Sequence, residues 1–218
     1  MSQQLFDAIR TGDRGQVDAL LTADASLLAA KDPNGLGAYA TAKYSGRNDI
    51  AALLIAKGVE LDIFAACMAG AKNRVLALTD ENPELVRAYS PDGWTPLHLA
   101  CFFAQSDIAE ALIARGADVR AQSRNPLQNA PLHAAAAGRN KDAVRALLEH
   151  GADVNARQHG GWTALHAASQ NGDVEMMRLL IAGGADVQLR ADNQQNAMDL
   201  ALTKGHQAVV ELLDEYGK

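Results

Sequence analysis

Six histidines and two cysteines are the residues of this 218-residue chain best suited to chemistry. Histidine and cysteine are the usual zinc ligands, but zinc needs its donors to converge on one point. Three of the histidines do not converge; they stand in register. Trp94-Thr95-Pro96-Leu97-His98 returns as Asn129-Ala130-Pro131-Leu132-His133 and again as Trp162-Thr163-Ala164-Leu165-His166. A worn copy follows at Asn196-Ala197-Met198-Asp199. The histidines lie 35 and 33 residues apart, so a fold built on that period sets one ring per unit in a column. No metal site is expected from such a column. Of the other three, His150 sits at a helix C-terminus, where a cation suits the dipole, and His206 follows Gly205 in a turn. His159, at a loop tip, is the one expected to touch a partner.

Cys67 and Cys101 occupy equivalent positions in successive units. Neighbouring helices pack about 8–10 Å apart, whereas a disulfide needs Cα atoms within about 7 Å. Both are therefore read as reduced, small core residues. Nucleophilic catalysis finds no footing either. The chain has no Gly-x-Ser-x-Gly elbow, no phosphate-cradling glycine loop and no His-Glu-x-x-His. Asp118, Asp153 and Asp186 read as turn residues, and Gly160-Gly161 and Gly183-Gly184 as single turns. No enzyme activity and no cofactor are expected.

The elements that carry these residues follow from the same phrases. A fixed period of 33–35 residues indicates a solenoid of small stacked units. Pro96 and Pro131 fit the first turn of a helix, where the missing N–H costs nothing. Thr95, Thr163 and Asn196 precede that position and can cap it. Ala130 cannot, and Asn129 is expected to substitute. Leu97, Leu132 and Leu165 fall on the buried side. Gly116, Gly151 and Gly184 each follow an apolar run and fit a left-handed helix stop. Each unit is thus a short helix, a tight turn, a longer helix, a glycine stop and an extended polar connection.

These phrases resemble ankyrin repeats, whose signature is Thr-Pro-Leu-His-x-Ala with Gly-Ala-Asp some distance on. Thr95-Pro96-Leu97-His98-Leu99-Ala100 matches it fully; Pro131–Ala135 and Thr163–Ala168 match closely, and Gly-Ala-Asp recurs at 116, 151 and 184. The resemblance implies an all-α solenoid of stacked helix-turn-helix units with short β-hairpin finger loops. It also implies a role for His98, His133 and His166: hydrogen bonds that tie the ring to neighbouring backbone and to the threonine hydroxyl. The alanine-rich, finger-poor first units look more like bacterial members than animal ones.

The first ninety residues lack the phrase, but a 58-residue shift lays 5–58 onto 63–116. Phe6 meets Phe64, Val17 meets Val75, Leu27 meets Leu85, Pro33-Asn34-Gly35 meets Pro91-Asp92-Gly93, and Gly58 meets Gly116. The two proline–glycine triplets are turn sequences. A single domain over 1–218 results, with units at about 2–32, 33–61, 62–90, 91–122, 123–157, 158–190 and 191–218. The first and last are caps with a polar face, supplied by Gln3, Gln4, Asp7 and Arg10 and by Glu211, Asp214, Glu215 and Lys218.

A net charge of −6 argues against nucleic acid, which asks for a basic stripe. No apolar run approaches the length of a membrane span, about 18 residues, and the N-terminus carries no secretory pattern. The cytoplasm and a monomer are expected. Partner contacts are expected where each first helix ends, on the concave side: Tyr44, Met68, Phe102, Phe103, Gln170 and Asn171 among them. The middle of that row is aromatic and its ends are polar, as in an interface core and rim. Either one of Phe102 and Phe103 packs inward or both face the groove. The finger tips add Arg124, Asn125, Gln128 and His159, with Trp94 and Trp162 either flanking the hairpins or touching a partner. The surplus length of unit five falls in 123–130, where insertions map to a binding face.

Three functions compete: a module that binds an unknown protein partner, including an inhibitor or immunity-type regulator of one enzyme; a structural spacer, against which the lack of a terminal linker counts; and a small-ligand enzyme, which an open groove disfavours.

Overall fold

The computed structural model describes residues 1–216, so Lys218 of the expected C-terminal cap lies outside the described residues. Fourteen α-helices form seven successive pairs among these residues. The pairs are α1 (Ser2–Thr11) with α2 (Arg14–Ala23), α3 (Ala38–Tyr44) with α4 (Asn48–Ala56), and α5 (Ile63–Ala69) with α6 (Lys72–Glu81). They continue with α7 (Pro96–Phe102) and α8 (Ser106–Ala114), α9 (Pro131–Ala137) and α10 (Lys141–Glu149), α11 (Ala164–Gln170) and α12 (Val174–Ala182), and α13 (Ala197–Lys204) and α14 (Gln207–Tyr216). Odd-numbered helices stack on one another in one layer and even-numbered helices in a second. This is the ankyrin-type helical solenoid that the phrases implied.

The core runs unbroken along the interface of the two layers, from Leu5 and Phe6 through Leu97 and Leu132 to Leu212 and Leu213. Small residues make the inner layer thin. Gly138 is the extreme case: a Cβ there would stand 2.3 Å from the carbonyl oxygen of Phe102, so only glycine admits the close approach of α9 to α7. Cys67 and Cys101 are buried and free, with both thiols pushed up by burial.

Capping follows the sequence at Thr95 and Asn196, while the Thr163 hydroxyl pairs with the His166 ring rather than with a backbone amide. Thr95 accepts from the His98 amide, and Asn196 and Asp199 cap each other reciprocally, so Asp199 replaces histidine in the worn copy. Asn129 does not substitute for the missing cap at Ala130. Its carboxamide oxygen is taken by the Ser123 hydroxyl at 2.6 Å, and the Ala130 amide donates to His133 Nδ1 at 3.1 Å instead.

The fingers are turns rather than β-ladders. Each is closed by one backbone hydrogen bond across its base: Asp32 to Leu36, Ser90 to Trp94, Ser123 to Asn129, Gln158 to Trp162 and Ala191 to Gln195, at 2.8–2.9 Å. Among the described residues only an isolated antiparallel bridge, Lys31 with Gly37, has strand character. Neighbouring fingers are zipped by a further backbone bond each. Arg124 donates to Gly93 at 2.8 Å, His159 to Leu127 at 2.8 Å and Asp192 to Gly160 at 2.9 Å. The donor is always the residue after the finger's base. In the two remaining fingers that residue is Pro33 or Pro91, which has no N–H to give. Neither of those fingers follows another in sequence order of the pairs: residues 57–62 pass from α4 to α5 without forming one.

Candidate functional site

The histidine column is internal fastening. His98 Nε2 donates to the Asn129 carbonyl at 2.8 Å, His133 to Ala156 and Trp162 at 3.0 and 3.2 Å, and His166 to Gln195 at 3.2 Å. Each Nδ1 accepts, from the backbone amide of Thr95, Ala130 or Thr163 and, where there is one, from the threonine hydroxyl at 2.7–2.8 Å. That pattern needs the neutral Nε2–H ring. Burial enforces it, lowering His98 to about 4 and holding His133 and His166 below the ordinary imidazole value. Every polar ring atom is occupied, so these residues have nothing left to offer a ligand. Among the described residues no three His, Cys, Asp or Glu side chains gather as a metal set.

The concave face holds a continuous aromatic chain instead. The Trp94 ring meets Phe102 edge-on with centroids 5.3 Å apart, and Phe102 meets Phe103 edge-on at 5.2 Å. Phe103 meets Tyr44 at 5.8 Å, and the Lys43 ammonium stands 5.3 Å from the Phe103 centroid. Edge-to-face geometry is the favoured one for such rings. The chain climbs from the core to the surface: Trp94 is buried, Phe102 and Phe103 are half-buried, and Tyr44 is exposed. Tyr44 comes from α3 and Phe103 from the end of α7, two pairs apart. They meet because the intervening helix α5 ends in Met68-Ala69, and Met68 is turned inward. The Tyr44 hydroxyl completes the span by donating to the Asp92 carboxylate at 2.5 Å. Burial first, and Asp92 second, raise the Tyr44 phenol above its usual range, so it remains a donor at every ordinary pH.

Two expected contact residues are corrected. Met68 is 1% exposed and Trp94 is 9% exposed, so neither presents area to a partner. Met68 is drawn into the core because its neighbours on α5 are alanine and cysteine, which leave room for a long flexible side chain. Trp94 packs over its own His98 at 5.8 Å. Trp162 does the same over His166 at 5.6 Å but remains half-buried. Trp94 therefore flanks its finger, while Trp162 packs the same way with part of its ring at the surface.

At the far rim of the groove Gln170 is exposed and Asn171 half-buried, and their backbone carbonyls take His206 and Arg139. The lengthened finger has a built shape. Asn125 reaches back to the Asp92 carbonyl at 3.2 Å, accepts from the Leu127 amide and closes a turn. Gln128 adopts a left-handed backbone with φ 49° and is exposed. Arg124 is exposed yet stacks on Tyr89, its guanidinium carbon 3.8 Å from the ring centroid. His159 is exposed beside this finger. The structure adds Leu127, 48% exposed between Asn125 and Gln128, and Lys43 and Asp92 at the aromatic chain. Leu127 was detectable as an apolar residue in a proline turn; Lys43 and Asp92 depend on a contact between distant pairs.

A family model described as "Ankyrin repeats (3 copies)" matches residues 5–123, 63–158 and 132–218, which together span nearly the whole chain. Relatives include "Protein phosphatase 1 regulatory subunit 27" of Homo sapiens and of Mus musculus. Each is 35% identical over 113 residues, covering 52% of this chain. The match spans 57% of each relative's own length. Both relatives are mammalian, and neither supports a bacterial likeness.

Proposed function

The chain belongs to the ankyrin-repeat family, and on that premise we propose that it is a non-catalytic module. It holds a protein partner on its concave aromatic chain and lengthened finger. The observation that carries this reading is the graded chain Trp94–Phe102–Phe103–Tyr44. Its inner rings are fixed by edge-to-face contacts, Phe102 and Phe103 are half-buried, and its outermost ring, Tyr44, is exposed. Rigid aromatic anchors inside a polar surround are what an interface uses for most of its binding energy. Gln170 and Asn171 extend the row on one side, and Arg124, Asn125, Leu127, Gln128 and His159 form a second contact line at the finger.

A finer reading is that the partner is an enzyme under this protein's control. It is favoured by the printed name of the relatives, which are regulatory subunits. Residues 1–218 act as one domain with the unit boundaries given above. It works as a monomer in the cytoplasm and needs no nucleic acid or membrane; no helix among the described residues is long and apolar enough to cross a bilayer.

The test is affinity purification from the native host with mass spectrometry, followed by binding measurements on the recovered partner. Phe103→Glu is expected to weaken Kd by at least about 30-fold, the scale of a 2 kcal/mol anchor. Glu110→Ala, on an exposed site of α8, should change nothing. A folded Phe103→Glu protein that binds at wild-type affinity removes the groove assignment.

A further inference from the structure

Three absences in this array fall at one place. The fastening histidines stand three residues after the N-cap of their helices. Counted from the N-caps Gly37 and Asp62, that position is Ala40 in α3 and Ala65 in α5. With Gln4 at that position in α1, the first three pairs lack the imidazole, and the third of them also lacks a finger. The missing volume is a cleft of about 430 Å³, and both alanines line it. At its finger edge the tips of the flanking fingers meet across the gap: a Cβ on Gly35 would stand 3.2 Å from the Pro91 Cβ. The cleft is thus bridged rather than collapsed. Its size lies within the range of small binding pockets, about 300–1,000 Å³.

The lining is apolar, with a charged edge of one dominant sign. Tyr39, Phe64 and Tyr89 give it three aromatic walls. Glu60, Asp62 and Asp92 set three carboxylates around it against the single ammonium of Lys31. Two of the carboxylates are committed within the fold: Asp62 caps α5, and Asp92 takes Tyr44 and Ser90. They contribute field rather than a free ligand set. The third, Glu60, is 89% exposed at its side chain and is met only by Arg74 at 3.6 Å. An apolar hollow with a negative edge complements an apolar side chain with positive neighbours.

We propose that this cleft is a second anchoring site, which takes a short extended segment of a protein partner. One apolar side chain enters beside Ala40 and Ala65, and flanking arginine or lysine residues sit against Glu60 in the negative field of Asp62 and Asp92. The inference rests on the reading that the ligand of this protein is itself a protein. It adds a site away from the Phe102–Phe103 chain and states the chemistry of what fills it.

The test uses the full chain, isotope-labelled, and two capped hexapeptides. One alternates arginine with leucine and phenylalanine; the other has glutamate in place of arginine. The arginine peptide should shift amide resonances of Ala40, Phe64 and Tyr89 saturably and bind at least tenfold more tightly than the glutamate peptide. Glu60→Lys, an exposed change that spares the fold, should weaken it about fivefold. Ala40→His, which follows the array's own pattern and fills the cleft, should abolish the shifts. Equal binding of the two peptides overturns the proposal. So do an undiminished response in Ala40→His, or shifts that never saturate or that scatter over the surface.

The two readings separate with the native partner. If Phe103→Glu weakens it and Ala40→His does not, the cleft fails and the interaction module stands. If Ala40→His weakens it and Phe103→Glu does not, the cleft is upheld and the groove is not.

Discussion

From α7 to α13 every step of the array is tied twice on its finger side. An imidazole reaches the next pair's carbonyl, and a finger amide meets the carbonyl of the finger before it. From α1 to α7 neither tie is made. The first three pairs are joined instead by longer side chains: Arg10 to the buried Asp32 at 2.7 Å, Arg47 to the Arg10 carbonyl at 3.1 Å, and Tyr44 to Asp92 across a whole pair. Both halves share the continuous core, so the difference is not one of burial. It lies in how each junction resists shear. Short backbone-directed bonds fix a junction in one register, while a long ionic or phenolic link tolerates adjustment. The half with adjustable junctions also holds the unfilled cleft.

Acid should separate the two halves most. His98 is lowered to about 4 in the folded protein from an unfolded value near 6.5. Its contribution is fully present above pH 6.5, falls as the pH drops below that, and stops falling near pH 4. The loss over that window is about 3 kcal/mol for this one ring, and His133 and His166 act in the same direction. Hydrogen exchange followed from pH 7 to pH 5 should show protection falling first in 96–204, with 2–69 holding. Uniform loss along the chain would erase the distinction.

Steric fit comes next. Gly138→Ala forces a methyl group onto the Phe102 carbonyl and should lower stability in urea by about 3 kcal/mol. Gly46→Ala, in the first half, meets open space and carries only the cost of its left-handed φ of 68°, about 1 kcal/mol. Similar losses at both sites would show that the halves pack alike. His98→Ala removes the ring donor to the Asn129 carbonyl and the ring acceptor of the Thr95 amide and hydroxyl, and should cost about 2 kcal/mol. The Tyr44→Phe change removes the hydroxyl link from α3 to Asp92 and should cost about 1 kcal/mol, while loosening hydrogen exchange between α3 and α7. Smallest of all is Pro91→Ala, expected within about 1 kcal/mol because the restored N–H has no finger to meet. A clear stabilisation there would mean that the gap accepts a backbone bond after all.

The helical architecture was legible because its signals are local. Thr95-Pro96, the leucines and the glycine stops each specify one turn of chain, and the structure uses them as read. The histidine role was legible through the family likeness, since the Nε2 partners lie 23 to 31 residues away. What was hidden depends on the coincidence of distant pairs. Met68 was placed on the concave row by its position, yet the small residues around it on α5 let it turn inward. Asn129 looked like a cap until Ser123 took its oxygen. The cleft is harder still, because Ala40 and Ala65 are silent as motifs. An absent imidazole becomes a feature only when the neighbouring finger is absent too.

The prolines at the finger bases have a consequence for self-association. An array of stackable turns invites unlimited growth, since the last finger of one molecule could abut the first finger of another. Finger stacking here depends on an amide donated by the residue after each base, and at the leading finger that residue is Pro33. A second copy arriving at that finger finds no donor, and at the internal gap the equivalent residue is Pro91. Proline at both positions removes the backbone donor through which a further finger would stack, much as natural sheets blunt their open edges.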